Sequence, residues 1–237
     1  RPRPRARSVA PPGLREHAFL QLRALAPGHR SGRLLRERAR HRLPTQHRVL
    51  VWSTFPTTSG QPADLVLGQA DFAARLPNRG SGAASGASLL APVAVHLEGG
   101  ALYVADSGNN RVLVFDALPT TSGVAAARVL GQPTLTDRTP TADINDRAHL
   151  AGPVALASDG ANLYVADRDG NRVLAYPLPA APAGTLARVL FNANSGLDVS
   201  APAGLAVERT PLFTSRLYVA DTNRDRVLVL GSVSRLR

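Results

Sequence analysis

Short apolar runs separated by turn residues recur along most of the chain. The runs at 102–105 and 112–115 are apolar at successive positions, and a strand with one solvent-exposed face would instead alternate. Both faces of these strands must therefore be covered. In the clearest copy, the pattern predicts four strands at 92–97, 102–106, 111–115 and 127–130, joined by tight turns.

This unit is repeated in tandem. The string Leu-Tyr-Val-Ala-Asp ends at positions 106, 167 and 221, and each time Arg-Val-Leu begins five residues later; a shorter copy begins at His47-Arg48. Internal repetition of this kind is typical of arrays of identical units. Four-stranded antiparallel sheets with two apolar faces stack face to face around an axis, so the sequence predicts an all-β fold, a β-propeller.

The repeated core resembles a known family. Leu102 to Val114, preceded by Leu90-Ala-Pro-Val-Ala-Val and followed by Val129-Leu-Gly-Gln, is similar to the NHL repeat in its longer bacterial form. Complete members have TolB-like propellers of six blades. The resemblance covers residues 47 to about 231 and gives a partial blade at 47–69, blades at about 90–132 and 150–191, and a partial blade at 201–231. About three blades do not close a ring, since single-chain propellers have four to eight, so we expect a fragment or half of an assembly.

Charge divides the chain into two parts. Residues 1–47 hold 12 Arg and 2 Glu, whereas residues 48–237 hold 16 Arg and 15 acidic residues. We therefore set an Arg-rich, non-propeller segment, 1–46, apart from the partial propeller, 47–237. The near-neutral propeller part does not favour nucleic-acid binding.

Three interpretations of the Arg-rich segment stay open. It is a solvated, disordered basic arm, or its Leu-bearing stretches at 14–25 and 34–43 form basic amphipathic helices on an anionic membrane or nucleic acid. The third is a displaced reading frame, because the codons of a GC-rich Asp-x-Gly turn read out of frame as Arg-His-Arg, the string at 40–42. The chain does not begin with Met, so we expect a processed or partial product.

Composition excludes several classes of protein. The chain has no Cys, which excludes zinc ribbons, disulfide scaffolds and enzymes with a Cys nucleophile. No apolar run reaches the roughly 18 residues of a membrane helix, and no signal peptide is visible. We predict no membrane span. The resemblance implies an extracellular or cell-surface location.

The acid and the Arg of each repeat form candidate pairs. A carboxylate at the end of one strand accepts turn N–H groups, and the Arg that begins the next strand neutralises it. A residue present in every blade is explained most simply by what every blade needs. We therefore interpret these residues as structural turn pairs and not as metal ligands: Asp106 with Arg111, Asp167 with Arg172, and Asp221 with Arg226.

Candidates for binding lie where the copies differ. His96 ends a first strand, His149 precedes one near the predicted axis, and Phe213 lies in a lengthened hairpin. Lyases with NHL-like propellers use His near that axis, in some cases around a metal. Residues 48–237 contain only these two His, and a metal cluster needs several converging ligands. We therefore predict no metal, no cofactor and no catalytic residue. The interpretations that compete with binding are a structural, hydrogen-bonded role for each His and packing of Phe213 on its own blade.

Two classes of function remain. The first is a non-catalytic NHL-repeat propeller, a scaffold that binds a protein, peptide or glycan. The second is a metal-dependent lyase or hydrolase of the NHL-like type. The shortage of His and the incomplete ring favour the first. Unpaired strands and uncovered apolar faces favour association, so the sequence also predicts either a homodimer through open blade edges or insoluble material.

Overall fold

The computed structural model describes residues 46–179, 182, 184–194, 197–209 and 215–231. Within these residues the chain forms β-strands and three short 3-10 turns, and no α-helix. Phe213 and the Arg-rich segment up to residue 45 lie outside the described residues. The all-β class predicted from the sequence is confirmed.

The strands form four antiparallel sheets, which we call blades 1 to 4. Blades 2 and 3 each have four strands in sequence order, so the predicted four-stranded antiparallel sheet is confirmed. Blade 1 contains β1 (Val49–Val51) and β2 (Leu65–Leu67); blade 2 contains β3 (Ala94–Glu98), β4 (Ala101–Asp106), β5 (Arg111–Phe115) and β6 (Arg128–Leu130); blade 3 contains β7 (Pro153–Ser158), β8 (Asn162–Asp167), β9 (Arg172–Pro177) and β10 (Arg188–Phe191); blade 4 contains β11 (Pro202–Arg209), β12 (Ser215–Asp221) and β13 (Arg226–Gly231).

The blades are arranged as in a propeller. The first strand of blade 3, β7, contacts the first strands of blades 2 and 4, β3 and β11. The first strands of successive blades are therefore neighbours around a common axis. The later strands of each blade lie progressively further from that axis.

Apolar clusters between successive blades form the core. Val112 and Val114 of β5 face blade 3, in a cluster with Leu163, Val165 and Leu174. Leu113, from the same strand, faces blade 1 in a cluster with Val49 and Val51. Both faces of β5 are thus buried, which is why its sequence does not alternate between apolar and polar residues.

Two glycines allow neighbouring blades to pack closely against each other. Gly68 follows β2, the last strand of blade 1, and Gly131 follows β6, the last strand of blade 2. Their φ angles are +85° and +76°, respectively. A Cβ at Gly131 would lie 2.3 Å from a carbon of Leu150 in the next blade, and one at Gly68 would lie 2.4 Å from Leu89. Only glycine fits both the backbone conformation and the contact.

The variant Tyr176→Phe tests the packing between blades 2 and 3. The Tyr176 side chain is fully buried, its hydroxyl has no partner among the described residues, and burial raises its pKa. Because a buried hydroxyl without a hydrogen bond is destabilising, we expect Tyr176→Phe to increase the free energy of unfolding by about 1 kcal/mol, measured by urea denaturation.

The matched control is Tyr164→Phe. The Tyr164 hydroxyl donates to Asp159 Oδ2 at 2.7 Å, so this variant should lose about 1 kcal/mol. Equal destabilisation in the two variants would contradict the assignment of Tyr176 as an unsatisfied group.

Candidate functional site

An Asp–Arg ion pair closes the turn between the second and third strands of blades 2, 3 and 4; it is fully buried in blades 2 and 3, whereas in blade 4 the Arg226 side chain is 44% exposed. Asp106 and Arg111 are both fully buried; the Arg111 Nε donates to Asp106 Oδ2 at 2.8 Å, and the Leu90 N–H donates to Oδ1 at 2.7 Å. The other repeats reproduce both bonds: Asp167 with Arg172 at 2.8 Å and the Ala151 N–H at 2.6 Å, and Asp221 with Arg226 at 2.7 Å and the Ser200 N–H at 2.7 Å.

The rest of each guanidinium fixes the loops around the turn. Arg111 Nη2 donates to the carbonyls of Ser85 and Ser88, at 2.9 and 3.0 Å, and Nη1 donates to that of Leu135. Burial raises the pKa of Asp106, and the Arg111 charge opposes this rise. The groups that look most reactive in the sequence are therefore hydrogen-bonded to each other and to the backbone within the fold.

A second repeated contact joins each blade to the next; we call it the interblade latch. The residue before each repeat Arg has left-handed backbone geometry, with φ of 48° at His47, 54° at Asn110 and 48° at Asn171. Its side chain accepts an N–H from the following blade: Ala91 to His47 Nδ1 at 2.9 Å, Gly152 to Asn110 Oδ1 at 3.0 Å, and Ala201 to Asn171 Oδ1 at 2.8 Å.

His47 was not among the site residues predicted from the sequence. The signal was nevertheless present, because the position before the repeat Arg holds Asn110, Asn171 and Asp225 in the other copies. These residue types tolerate left-handed geometry and carry an acceptor. A His fills the same role only while Nδ1 is unprotonated.

A polar cluster joins the ends of the three first strands. His96 and Glu98 come from β3, Ser158 from β7 and Arg209 from β11. Ser158 is buried, its Oγ lies 2.7 Å from His96 Nε2, and it donates to Glu98 Oε2. Arg209 Nη2 donates to Glu98 Oε2 and, at 3.0 Å, to Ser158 Oγ. We call this group the axial cluster.

The axial cluster is not arranged as a catalytic triad. In a triad the His joins the nucleophile and the acid through its two ring nitrogens, whereas here His96 Nε2 and Glu98 Oε2 both contact the same Ser158 oxygen. Burial lowers the pKa of His96, with Glu98 acting against this and Arg209 adding to it. Burial acts to raise the pKa of Glu98, but hydrogen bonds from Ser158 and Arg209 outweigh it and lower that pKa. The cluster therefore links blades 2, 3 and 4 through a neutral His and an ionic Glu98–Arg209 contact.

A cavity of about 290 Å³ lies beside the axial cluster, between blades 2 and 3. Its walls carry both signs of charge and a short apolar segment: Glu98, Tyr103, Asp116, Arg128, Leu178 and Pro179. Arg128 Nε donates to Asp116 Oδ1 at 3.0 Å, so part of this charge is already paired.

His149 lies away from the axial cluster. It precedes β7, whereas Ser158 ends β7, and a six-residue strand spans about 17 Å. Its Nδ1 lies 2.9 Å from Asp146 Oδ2, and its carbonyl accepts from Arg172. The structure therefore does not bring the two candidate His together.

The described part of the chain contains no group of three or more His, Cys, Asp or Glu side chains placed to hold a metal. None of the described residues forms a helix capable of spanning a bilayer.

His47→Asn tests the interblade latch. Burial lowers the pKa of His47 below its ordinary value of 6.5, so the unfolded chain binds the proton more readily than the folded chain does. The contribution of His47 to stability is therefore complete above pH 6.5 and decreases as the pH falls below 6.5. Asn does not titrate. We expect the variant to lose less stability than the wild type between pH 7.5 and 5.5, as measured by urea unfolding.

The reciprocal variant Asn110→His is the control, and we expect it to lose more stability over the same range. His96, whose pKa is also lowered by burial, contributes equally to the pH dependence of stability in the wild type and in both variants. If the wild type and His47→Asn show the same pH dependence, the latch does not depend on the His47 acceptor.

Comparisons with known proteins identify one repeat. A family model described as the NHL repeat matches residues 91–115, which include β3, β4 and β5. No curated protein matches the sequence.

Three solved structures are similar to the chain. A catalytically inactive virginiamycin B lyase from Staphylococcus aureus, solved with quinupristin, is 10% identical, with 79% of this chain and 49% of that chain covered and a TM-score of 0.39. The PQQ-bound aldose sugar dehydrogenase from Streptomyces coelicolor is 12% identical, with 77% and 51% covered and a TM-score of 0.39. Hydrazine synthase from Kuenenia stuttgartiensis is 16% identical, with 58% and 34% covered and a TM-score of 0.32. The chain spans about half of these structures or less.

The family match covers the first three strands of blade 2 and the ion-paired turn between the second and the third. The sequence resemblance is thus confirmed, and the chain carries an NHL repeat, at residues 91–115, within its set of propeller-like blades.

Proposed function

We propose that this chain is a non-catalytic propeller scaffold that binds protein, with a second copy of itself as the partner. The observation that carries the proposal is the exposed face of blade 4. Val227 and Val229 of β13 are 63% and 57% exposed, whereas their counterparts in blade 2, Val112 and Val114, are fully buried against blade 3. Blade 4 thus presents to solvent the surface that the other blades use for packing.

An apolar strip of this kind favours association. Val227 and Val229 lie on the same side of one strand, because successive side chains of a strand point to opposite faces. Exposed apolar patches on a regular sheet are typical of interaction surfaces. A second copy presents the same strip, and a two-fold axis would bring the two strips together as one self-complementary patch.

The other polar groups support a scaffold more than an enzyme. The repeat acids and Arg are paired with each other, and the buried Ser158 hydroxyl is held between blades by His96, Glu98 and Arg209. A binding role needs none of these groups to react.

We also propose that the propeller part begins at residue 47. Arg48 occupies the repeat Arg position, and its Nη1 donates to the Phe72 carbonyl. Its Nε is buried without an acceptor in the described residues, whereas the Nε of the other three repeat Arg donates to an Asp five residues earlier. Five residues before Arg48 the sequence has Leu43 in place of Asp, which supports a domain boundary between Leu43 and Arg48.

The face of blade 4 is tested with the double variant Val227→Thr/Val229→Thr. Thr keeps the shape and strand preference of Val but adds a hydroxyl that resists burial. We expect the wild-type chain to dimerise in sedimentation velocity across a concentration series. The double variant should weaken the dimer about tenfold or more. Its thermal melting temperature should equal that of the wild type at a dilution where both are monomeric.

Val93→Thr is the matched control, because Val93 is also exposed, at 45%, but precedes β3 in blade 2. It should leave the dimer intact. A wild-type chain that stays monomeric at every concentration would refute the proposal, as would an equal effect of Val93→Thr.

A further inference from the structure

The Tyr of the repeat bonds to an acid at the end of the first strand in blades 3 and 4. The Tyr164 hydroxyl donates to Asp159 Oδ2 at 2.7 Å, and the Tyr218 hydroxyl donates to Glu208 Oε2 at 2.9 Å. In both blades the acid stands two residues after the residue that pairs with the Tyr across the first two strands. A Tyr–acid bond at this position is therefore a contact that the repeat makes within one blade.

Blade 2 uses the acid at this position differently. Glu98 is the equivalent residue, because it stands two residues after His96, which pairs with Tyr103. The hydrogen bonds to Glu98 Oε2 come from Ser158 of blade 3 and Arg209 of blade 4. The acid of blade 2 is thus shared with two other blades, and this end of the sheet departs from the pattern of the repeat.

The cavity of about 290 Å³ lies at this departure. Glu98 and Tyr103 both belong to its walls, and most of the other lining residues come from the turns after the first strands and the loops after the third strands of blades 2 and 3. The ion-paired turns lie at the opposite ends of these strands, so the cavity is separate from them. Its volume is at the lower end for small-molecule sites, about 300 to 1,000 Å³, which indicates a small ligand.

Two carboxylates of the walls each have an oxygen that accepts no hydrogen bond from the described residues. Ser158 and Arg209 both donate to Oε2 of Glu98, which leaves Oε1. Arg128 donates through Nε and Nη2 to the same oxygen of Asp116, Oδ1, which leaves Oδ2. These oxygens favour a ligand with positively charged N–H groups, because charge-assisted hydrogen bonds are stronger than neutral ones.

The rest of the lining favours a cation with an apolar body. The walls carry two carboxylates and one guanidinium, since Arg209 is not among the lining residues, so an anion would meet more charge of its own sign than a cation would. Ala101, Leu178 and Pro179 supply apolar surface. Leu178 also packs against the apolar cluster between blades 2 and 3, which holds this wall in place.

From these observations we infer that the cavity binds a small organic cation, a primary ammonium or guanidinium group on a short apolar body. The cation donates to Glu98 Oε1 and Asp116 Oδ2, and the apolar body lies against Tyr103 and Leu178. The site lies between blades 2 and 3 and uses no residue of the exposed blade 4 face, so it goes beyond the proposed dimer.

The ligand chemistry is tested by titrating the full chain with phenethylamine, followed by ligand-observed NMR. Saturable binding is expected, with a Kd below about 1 mM. Phenethyl alcohol keeps the apolar body but replaces the ammonium by a neutral hydroxyl, and it should bind about tenfold or more weakly. Phenylacetate carries a carboxylate on a similar body and should show no saturable binding. This comparison of three ligands does not depend on any variant of the protein.

Two wall variants should act in opposite directions. Asp116→Asn removes the charge of an exposed acid and should weaken phenethylamine binding about fivefold. Arg128→Gln removes the guanidinium that competes for the same carboxylate and should strengthen binding about threefold. Asp169→Asn is the matched control, because Asp169 is also an exposed acid that accepts from an Arg Nε, at 2.8 Å, but lies in the turn at the other end of blade 3. It should leave the Kd unchanged, and a thermal melt checks that each variant is folded.

Absence of saturable phenethylamine binding, or equal binding of the amine and the alcohol, would overturn the inference. Equal effects of Asp116→Asn and Asp169→Asn would overturn it too, because the amine would then associate with acidic groups in general. Weaker binding by a folded Arg128→Gln would also contradict it. Val227→Thr/Val229→Thr should bind phenethylamine as the wild type does, so a failure of the dimer and a failure of the cavity are distinguishable.

Discussion

The Asp–Arg pair, fully buried in blades 2 and 3, is the interaction on which these repeats depend. Moving one unpaired charge into a protein interior costs several kcal/mol, so neither Asp106 nor Arg111 is stable there without the other. The Asp also accepts backbone and Asn109 donors, and the Arg donates to loop carbonyls before and after the blade. One ion pair thus fixes a turn, the start of a strand and two surrounding loops, and its loss would release all of them together.

This arrangement determines where function can lie. The repeat acids and Arg are the most conspicuous polar residues in the sequence, yet their hydrogen-bonding groups are used within the fold. The remaining polar groups that differ between repeats, such as His47 and the axial cluster, again join one blade to another. The surface that we propose for a partner is instead the one that the repeat normally covers, which in the described residues is exposed on blade 4.

The sequence predicts most of the strand positions, because strands buried on both faces have continuous apolar runs. The predicted strand at 111–115 coincides with β5, whereas the one at 92–97 begins two residues before β3. There Ala91 has a φ of 49° and bonds to His47 in the latch, which is a contact between repeats that the pattern within one repeat does not contain. The axial cluster escaped prediction for a similar reason. Ser158 and Arg209 come from different repeats, and only the stacking of first strands around an axis brings them together.

The latch series repeats one contact between successive blades. His47, Asn110 and Asn171 each accept an N–H from the next blade, and Asp225 stands at the same position on blade 4 with the same left-handed backbone. A carboxylate accepts an N–H as an amide oxygen does. Blade 4 therefore keeps the acceptor and the apolar strip by which the other blades recognise their neighbours. The dimer that we propose would use this surface, and its specificity would then derive from the interface that the fold already repeats.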